Sequence, residues 1–279
     1  MKIGLALSGG GVRGAAHIGA IKALQDNGIK IDAIAGTSAG SIVAALYGMG
    51  YNTDEMIKLF EYFSKSVVAV SPKYMFSEVK EVRGIRLGGI TSSHNIELAL
   101  EEAGKLKNIN NIKDIKMPIA IPATDLVSDS KVVFTNCNQM EGEKYIHDIE
   151  IGKAVRASST FPIMYAPFKY KEYQFVDGGI FDNLPVGEAK KLGVDKVIAI
   201  KFKLKSTRKQ NTMYNIAMHS LDLMTDNLMR ESVMKSDEVI EIDLKDAKIF
   251  NINKLEFCYR EGYIQTLDCI AKLKENLKK

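Results

Sequence analysis

The sequence predicts an α/β fold in three layers, a mostly parallel central sheet with helices on both faces. Three observations carry that reading. Short apolar runs alternate with helical periodicities from the first residue onward, the pattern of strand–helix–strand units. Two of the early runs end abruptly in glycine-rich turns that open helices. The balance of 46% hydrophobic and 26% charged residues supplies a core of ordinary globular size over 279 residues.

Taken in order, Lys2 to Leu7 reads as a buried strand ended by Ser8 and three glycines. Ala15 to Asp26 carries Ile18, Ile21 and Leu24 on one helical face, closed by Asn27-Gly28. Ile31 to Ala35 is a second strand and Ser38 to Tyr47 the helix after it. Thr53 to Phe63 follows as a helix with Thr53 as N-cap. Residues 64–92 are less regular, and Ser93 to Glu102 is helical again. Strands are expected at Ile119 to Thr124 and Lys131 to Thr135, joined by the turn "DLVSDS". A helix at Glu150 to Ser158 precedes "TFP", and one strand from Tyr170 to Val176 runs into Asp177-Gly178-Gly179. Next come a helix (Val186 to Leu192), a strand (Val194 to Phe202) and a long methionine-bearing helix from about Asn211 to Met234. A strand at Val239 to Leu244 and a basic amphipathic helix finish the chain. No repeat, low-complexity tract or linker divides it, so residues 1–279 read as one domain, with the motifs in about 2–200 and elements 210–279 completing it.

The net charge of +4 does not point to nucleic acid and tolerates contact with an anionic membrane surface. Cys137, Cys258 and Cys269 are odd in number and lack C-x-x-C spacing, which argues against a disulfide framework or a zinc site and suits a reducing cytoplasm. The N-terminus lacks the apolar region and cleavage site of a secretory signal. No apolar run approaches the roughly 20 residues of a membrane-spanning helix.

Gly36-Thr37-Ser38-Ala39-Gly40 is a G-x-S-x-G nucleophile elbow in its expected context, strand then sharp turn then helix. Upstream, Gly9, Gly11 and Gly14 match G-x-G-x-x-G, the spacing of a dinucleotide loop. That reading requires an acidic residue at the end of the second strand, and Gly36-Thr37-Ser38 stands there instead. Glycine-freed N–H groups at a helix start also suit the oxyanion of an acyl-transfer intermediate. In "FVDGGIFDNLPV", Asp177 ends a strand and so reaches the same sheet edge as Ser38. A tight Asp-Gly turn is the plainer use of that pair. None of the histidines is well placed as a base: His17 lies one turn into a helix, His94 at a helix start, His147 among charged residues and His219 inside a helix. Asp177 is left as a base acting directly on Ser38.

With these residues in view, "LALSGGGVRGAAHIGAIKAL", "IDAIAGTSAGSIVAALY", "ASSTFP" and "VDGGIFDNLPV" resemble the patatin-like phospholipase family over roughly Lys2 to Ile200. The resemblance implies a Ser–Asp dyad with Ser38 as nucleophile and Asp177 as base. It implies an oxyanion hole from Gly9, Gly10 and Gly11, with Arg13 and Gly14 steadying that loop or Arg13 meeting a phosphate. Gly36, Gly40, Gly178 and Gly179 shape the elbow and base loops, and Ser158 and Pro162 support them. The substrate expected is a lipid or acyl ester, with no metal and no cofactor. The rival readings are a soluble esterase of small esters on the same dyad and a non-catalytic lipid-binding module. Lys201 to Lys209 reads as a solvated charged segment before a lipid contact. Met213, Met218, Met224 and Met229 serve an acyl pocket or an ordinary core equally well. "VVAVSPKYMF" and "FPIMYAPF" are expected to border the pocket mouth.

Overall fold

A computed structural model describes residues 1–68, 93–142, 144–162, 164–203, 213–245, 247, 249 and 251–278. In chain order it contains β1 (Ile3–Leu7), α1 (Ala15–Asp26), β2 (Ala33–Gly36), α2 (Ala39–Gly48), α3 (Thr53–Val68) and α4 (His94–Leu106). Then follow β3 (Ile119–Asp125), β4 (Ser130–Thr135), β5 (Tyr145–Ile146), α5 (Ile151–Ser158), β6 (Phe168–Tyr170), β7 (Tyr173–Asp177), α6 (Gly179–Asp182) and α7 (Val186–Lys191). β8 (Lys196–Phe202), α8 (Met213–Lys235), β9 (Glu238–Ile242) and α9 (Leu255–Leu277) complete it. The strands form one sheet in the order β5-β4-β3-β2-β1-β8-β9. β9, β8, β1, β2 and β3 run parallel, and β4 returns antiparallel to β3. The three-layer, mostly parallel expectation therefore holds.

The alternation within the strands explains the layers. Ile3, Leu5 and Leu7, Ile34, Ile121, Ile198 and Ile200 point to one face and pack in a large core under α1, α2, α3, α4, α5 and α9. Their neighbours Ala6, Ala33, Ala35, Ala120 and Ala199 point to the other face, beneath Leu184, Val186, Ala189 and Met229 of the α7 and α8 side. Both faces are buried, as parallel sheets require. The small residues let the second helical layer sit close to the sheet.

Several elements differ from the sequence reading. The single strand expected at Tyr170 to Val176 is a hairpin, because Lys171 adopts φ 52° and turns the chain so that Tyr170 pairs with Tyr173. The cap of α3 is Asn52 rather than Thr53: Glu55 N–H donates to Asn52 Oδ1 and Asn52 N–H to Glu55 Oε2, both at 2.9 Å. Most of the irregular segment at 64–92, and residues 204–212, lie outside the described residues.

β7 sets the site. It pairs antiparallel with β3 from Asp125↔Phe175 to Ala123↔Asp177, while β2 pairs with the earlier part of β3 up to Ala35↔Ala120. β2 and β7 thus approach head to head along one edge of β3. Only Ile121 and Pro122 separate their pairings, and proline offers no N–H to a passing strand. A Cβ on Gly178 would fall 2.2 Å from the Pro122 carbonyl oxygen, so only glycine lets the chain turn away here.

The C-terminal helix, which matched no motif, buttresses the first one. A Cβ on Gly19 of α1 would meet the Tyr259 carbonyl at 2.0 Å, and a Cβ on Gly262 of α9 would meet the Ala16 carbonyl at 2.0 Å. The two backbones touch through glycine. Gly262→Val is expected to cost about 1–3 kcal/mol through overpacking and to lower the melting temperature measurably in a thermal scan; an unchanged midpoint would disprove the contact.

Candidate active site

Ser38 sits between β2 and α2 with φ 52° and ψ −122°, a conformation that a non-glycine residue holds only when its surroundings enforce it. Several bonds do so. Thr37 N–H donates to the Leu7 carbonyl at 3.1 Å, and the Thr37 hydroxyl to the Asp182 carbonyl at 2.7 Å. Ser38 N–H donates to Ser158 Oγ at 3.0 Å, and Ser41 Oγ donates back to the Ser38 carbonyl at 2.6 Å. Gly36 and Gly40 are there for closeness: a Cβ on Gly36 would lie 2.2 Å from the Gly40 carbonyl, and one on Gly40 2.5 Å from the Leu7 carbonyl.

The glycine loop leaves β1 beside this turn, since Leu7 and Gly36 are paired neighbours. Gly11, at φ +60°, turns the loop into a short 3-10 segment ending at Gly14, and a Cβ on Gly14 would crowd Phe60 at 2.8 Å and Ala39 at 2.9 Å. Gly9 N–H is committed to the Asn183 carbonyl at 3.1 Å. Among the described residues the N–H groups of Gly10, Gly11 and Ala39 meet no protein acceptor. Arg13 steadies the loop, its Nε donating to the Gly10 carbonyl at 3.2 Å with the guanidinium over the Phe202 ring. Burial pulls the Arg13 pKa down while Asp222 opposes it. His17 supports the same loop from beneath. Its Nε2 lies 2.8 Å from the Ser8 carbonyl, which only accepts, so the proton is on Nε2. Burial lowers its pKa to about 4, and the ring packs on Phe202 with centroids 4.5 Å apart. It is a neutral structural histidine.

Asp177 ends β7 and is 4% exposed. Its backbone is pinned by the "ASSTFP" block, with Asp177 N–H donating to the Thr160 carbonyl at 2.9 Å and Gly178 N–H to the Ser158 carbonyl at 3.2 Å. Gly179 N–H donates to Asp177 Oδ1 at 2.8 Å. Burial pushes the carboxyl pKa up to about 6, against the pull of the Ser38 hydroxyl and the Gly179 N–H. Among the described residues the Ser38 side chain is the one that bears on the carboxyl, while Oδ2 meets no partner at hydrogen-bonding geometry. The carboxylate is therefore underbonded and poised to take a proton.

Ser38, Asp177 and the glycine loop open onto one cleft. Its walls include Ile42, Phe60, Phe63, Phe161, Tyr165 and Ile180. The expected block "FPIMYAPF" contributes Phe161, Pro162 and Tyr165; "VVAVSPKYMF" lies almost wholly outside the described residues. Of the four α8 methionines singled out in the sequence, Met229 lines the cleft, Met224 is 62% exposed, and the side chains of Met213 and Met218 lie outside the described residues. Lys201, the first cation of the basic segment, pairs with Glu241 at 2.7 Å and Asp226 at 3.6 Å and is neutralised by them. No histidine lines the cleft. His94 faces Glu97, and both His147 nitrogens face backbone carbonyls. Among the described residues no three His, Cys, Asp or Glu side chains are grouped to hold a metal ion, and no helix is long and apolar enough to cross a membrane.

The sequence model of patatin-like phospholipases matches residues 5–190. The chain belongs to that family. It is 27% identical over 259 residues to a probable lipid hydrolase, 463L, of Invertebrate iridescent virus 6, covering 88% of this chain and 84% of that protein. It is 30% identical over 199 residues to Lysophospholipase NTE1 of Candida albicans, covering 71% of this chain but 13% of that far longer protein. Among solved structures, VipD from Legionella pneumophila superposes with a TM-score of 0.55 at 16% identity, over 97% of this chain and 67% of that one. Human GIVD cytosolic phospholipase A2 gives 0.57 at 10% identity, over 99% and 60%. The structural likenesses are of fold.

Two contributors to this patatin-type site escape the sequence reading. Ala39 N–H is implied by the elbow itself, since the residue after the nucleophile presents a free N–H at the helix start. Asn183, which binds Gly9 and whose side-chain amide lies against Gly9 and Gly179, carried no local signal. Asp177 also has a thermodynamic cost. An acid whose folded pKa is raised loses stability as pH climbs from about 4 to about 6, and the loss then stays constant. At ~1.4 kcal/mol per pH unit, the shift to about 6 amounts to about 3 kcal/mol at neutral pH. Asp177→Asn should therefore melt higher than wild type at pH 7.5, with the advantage shrinking towards pH 4; a lower melting point at both would refute the unfavourable burial.

Proposed function

We propose that this protein hydrolyses fatty-acyl esters of phospholipids or lysophospholipids through an acyl-enzyme on Ser38, with Asp177 as general base. The observation that carries the reading is the convergence of Ser38, a buried underbonded carboxylate and three unpaired backbone N–H groups on one apolar cleft. Ser38 Oγ attacks the ester carbonyl as Asp177 takes its proton, and charge develops on the former carbonyl oxygen. The N–H groups of Gly10, Gly11 and Ala39 face that charge, each such donor contributing roughly 10²–10³ in rate. Collapse expels the alcohol, which recovers the proton from Asp177. Water, deprotonated by the same carboxylate, then releases the fatty acid. The aromatic and aliphatic walls suit an acyl chain, and the Arg13 guanidinium at the cleft wall supplies a positive charge suited to a phosphate.

Only ionised Asp177 accepts the serine proton, so kcat/KM on a soluble ester should rise with pH through about 6 and level off above it. A profile flat down to pH 4 would remove Asp177 as base. Ser38→Ala should abolish hydrolysis and fluorophosphonate labelling while circular dichroism stays native. Labelling that persists at another serine would overturn the nucleophile. Rates that climb with acyl-chain length distinguish lipid hydrolysis from turnover of small esters; a preference for acetyl esters would favour the latter.

A further inference from the structure

α6 is a single turn of four residues, far too short to persist alone, yet three parts of the site are fastened to it. Its first N–H, from Gly179, orients Asp177 Oδ1 at 2.8 Å. The carbonyl of its last residue, Asp182, accepts the Thr37 hydroxyl beside Ser38 at 2.7 Å. One residue further, the Asn183 carbonyl accepts Gly9 N–H at 3.1 Å. A shift of this turn moves base, elbow and glycine loop together.

The far end of the turn is fixed by charge. Lys131 Nζ, from β4, lies 2.8 Å from Asp182 Oδ2 and 2.6 Å from Glu188 Oε1 of α7. The side chains of Asp182 and Glu188 are 11% and 2% exposed, so the ammonium serves two carboxylates withdrawn from water. Breaking such a pair by removing one partner strands a buried charge. Burial pushes Asp182 up against the pull of Lys131; at Glu188 burial also raises the pKa, but Lys131 and Lys191 outweigh it. Glu188 has a second cation in Lys191, 3.3 Å away and half exposed. Among the described residues Lys131 is the only cation within ion-pair distance of Asp182.

We propose that Lys131 is a positioning residue for ester hydrolysis: by clamping Asp182 it holds α6, and so holds Asp177 in line with Ser38. This rests on the assignment of Ser38 and Asp177 as nucleophile and base. Lys131 does not line the cleft and touches no reacting atom.

The test compares full-length wild type with Lys131→Met, Lys131→Arg, Lys191→Met and the double variant Lys131→Met/Asp182→Asn. Folding is checked by circular dichroism, and kcat and KM are measured on a soluble ester. Misplacing a catalytic group by about 1 Å costs up to ~10²-fold, so Lys131→Met should lower kcat roughly 10- to 100-fold. KM should stay within about twofold, because the group does not bind substrate. Lys131→Arg keeps the charge and should recover most of the loss. Lys191→Met removes a half-exposed cation of the same cluster and should leave kcat within about twofold. The double variant leaves no stranded carboxylate at Asp182 and should fall between Lys131→Met and wild type. Wild-type kcat in a folded Lys131→Met protein, a loss confined to KM, or an equal loss in Lys191→Met would overturn the proposal. If Lys131→Met does not fold, the double variant decides it, and wild-type kcat there would also overturn it. Activity surviving in Ser38→Ala would instead strike at the nucleophile, whatever the lysine variants do.

Discussion

The site depends on one shared strand edge. β3 pairs with β2 along its first half and with β7 along its second, and the two partners run towards each other. A parallel sheet delivers loops to its C-terminal edge, but a carboxylate arriving from a later part of the chain must still be aimed at Ser38. The antiparallel approach of β7 does the aiming, because the strand stops opposite Ala123 and leaves Asp177 pointing across the gap. Pro122 and Gly178 keep that gap in order, one by withholding an N–H and the other by lacking a side chain. Elbow, base loop and glycine loop are then stitched by single hydrogen bonds rather than by packing alone.

Within that frame the electrostatics follow from burial. A carboxylate in an apolar cleft would ordinarily be bonded on both oxygens, and Asp177 has one firm donor, Gly179. Burial pushes the carboxyl to about 6, near the range where a general base works at neutral pH, which is what the proposed dyad asks of it. The histidine nearest the loop has moved the other way. His17 is kept neutral by the same desolvation that raises Asp177, and it serves as a fixed donor to Ser8.

Much of this was legible in local sequence. The strand-turn-helix context marks Ser38, the glycine run marks the loop, and α1 spans the very residues its periodicity predicts. Position at a strand end brings Asp177 to the right edge. Other features escaped because their causes are long-range. The β6–β7 hairpin turns on a left-handed lysine that no glycine or asparagine announces. The division of labour in the glycine loop depends on Asn183, whose carbonyl takes Gly9 out of the set of free donors. Lys131 meets Asp182 across 51 positions, beyond any periodic pattern. Gly262 did carry a signal, a lone glycine inside a helical pattern, but the carbonyl it makes room for, that of Ala16, lies at the opposite end of the chain; the neighbouring Tyr263–Asp26 contact already spans 237 positions.

The elbow's clamps have a consequence for synthesis. The elbow is translated early, yet the groups that hold its strained turn come much later: Ser158 lies 120 residues after Ser38, and Asp182 lies 145 residues after Thr37. An N-terminal fragment emerging from the ribosome carries Ser38 without its clamp, without Asp177 and without the anchored glycine loop. On the proposed mechanism, hydrolysis would begin only when the last of these segments docks. On that reading a nascent or partly unfolded chain would leave lipid esters intact, and the fold would act as its own safety catch.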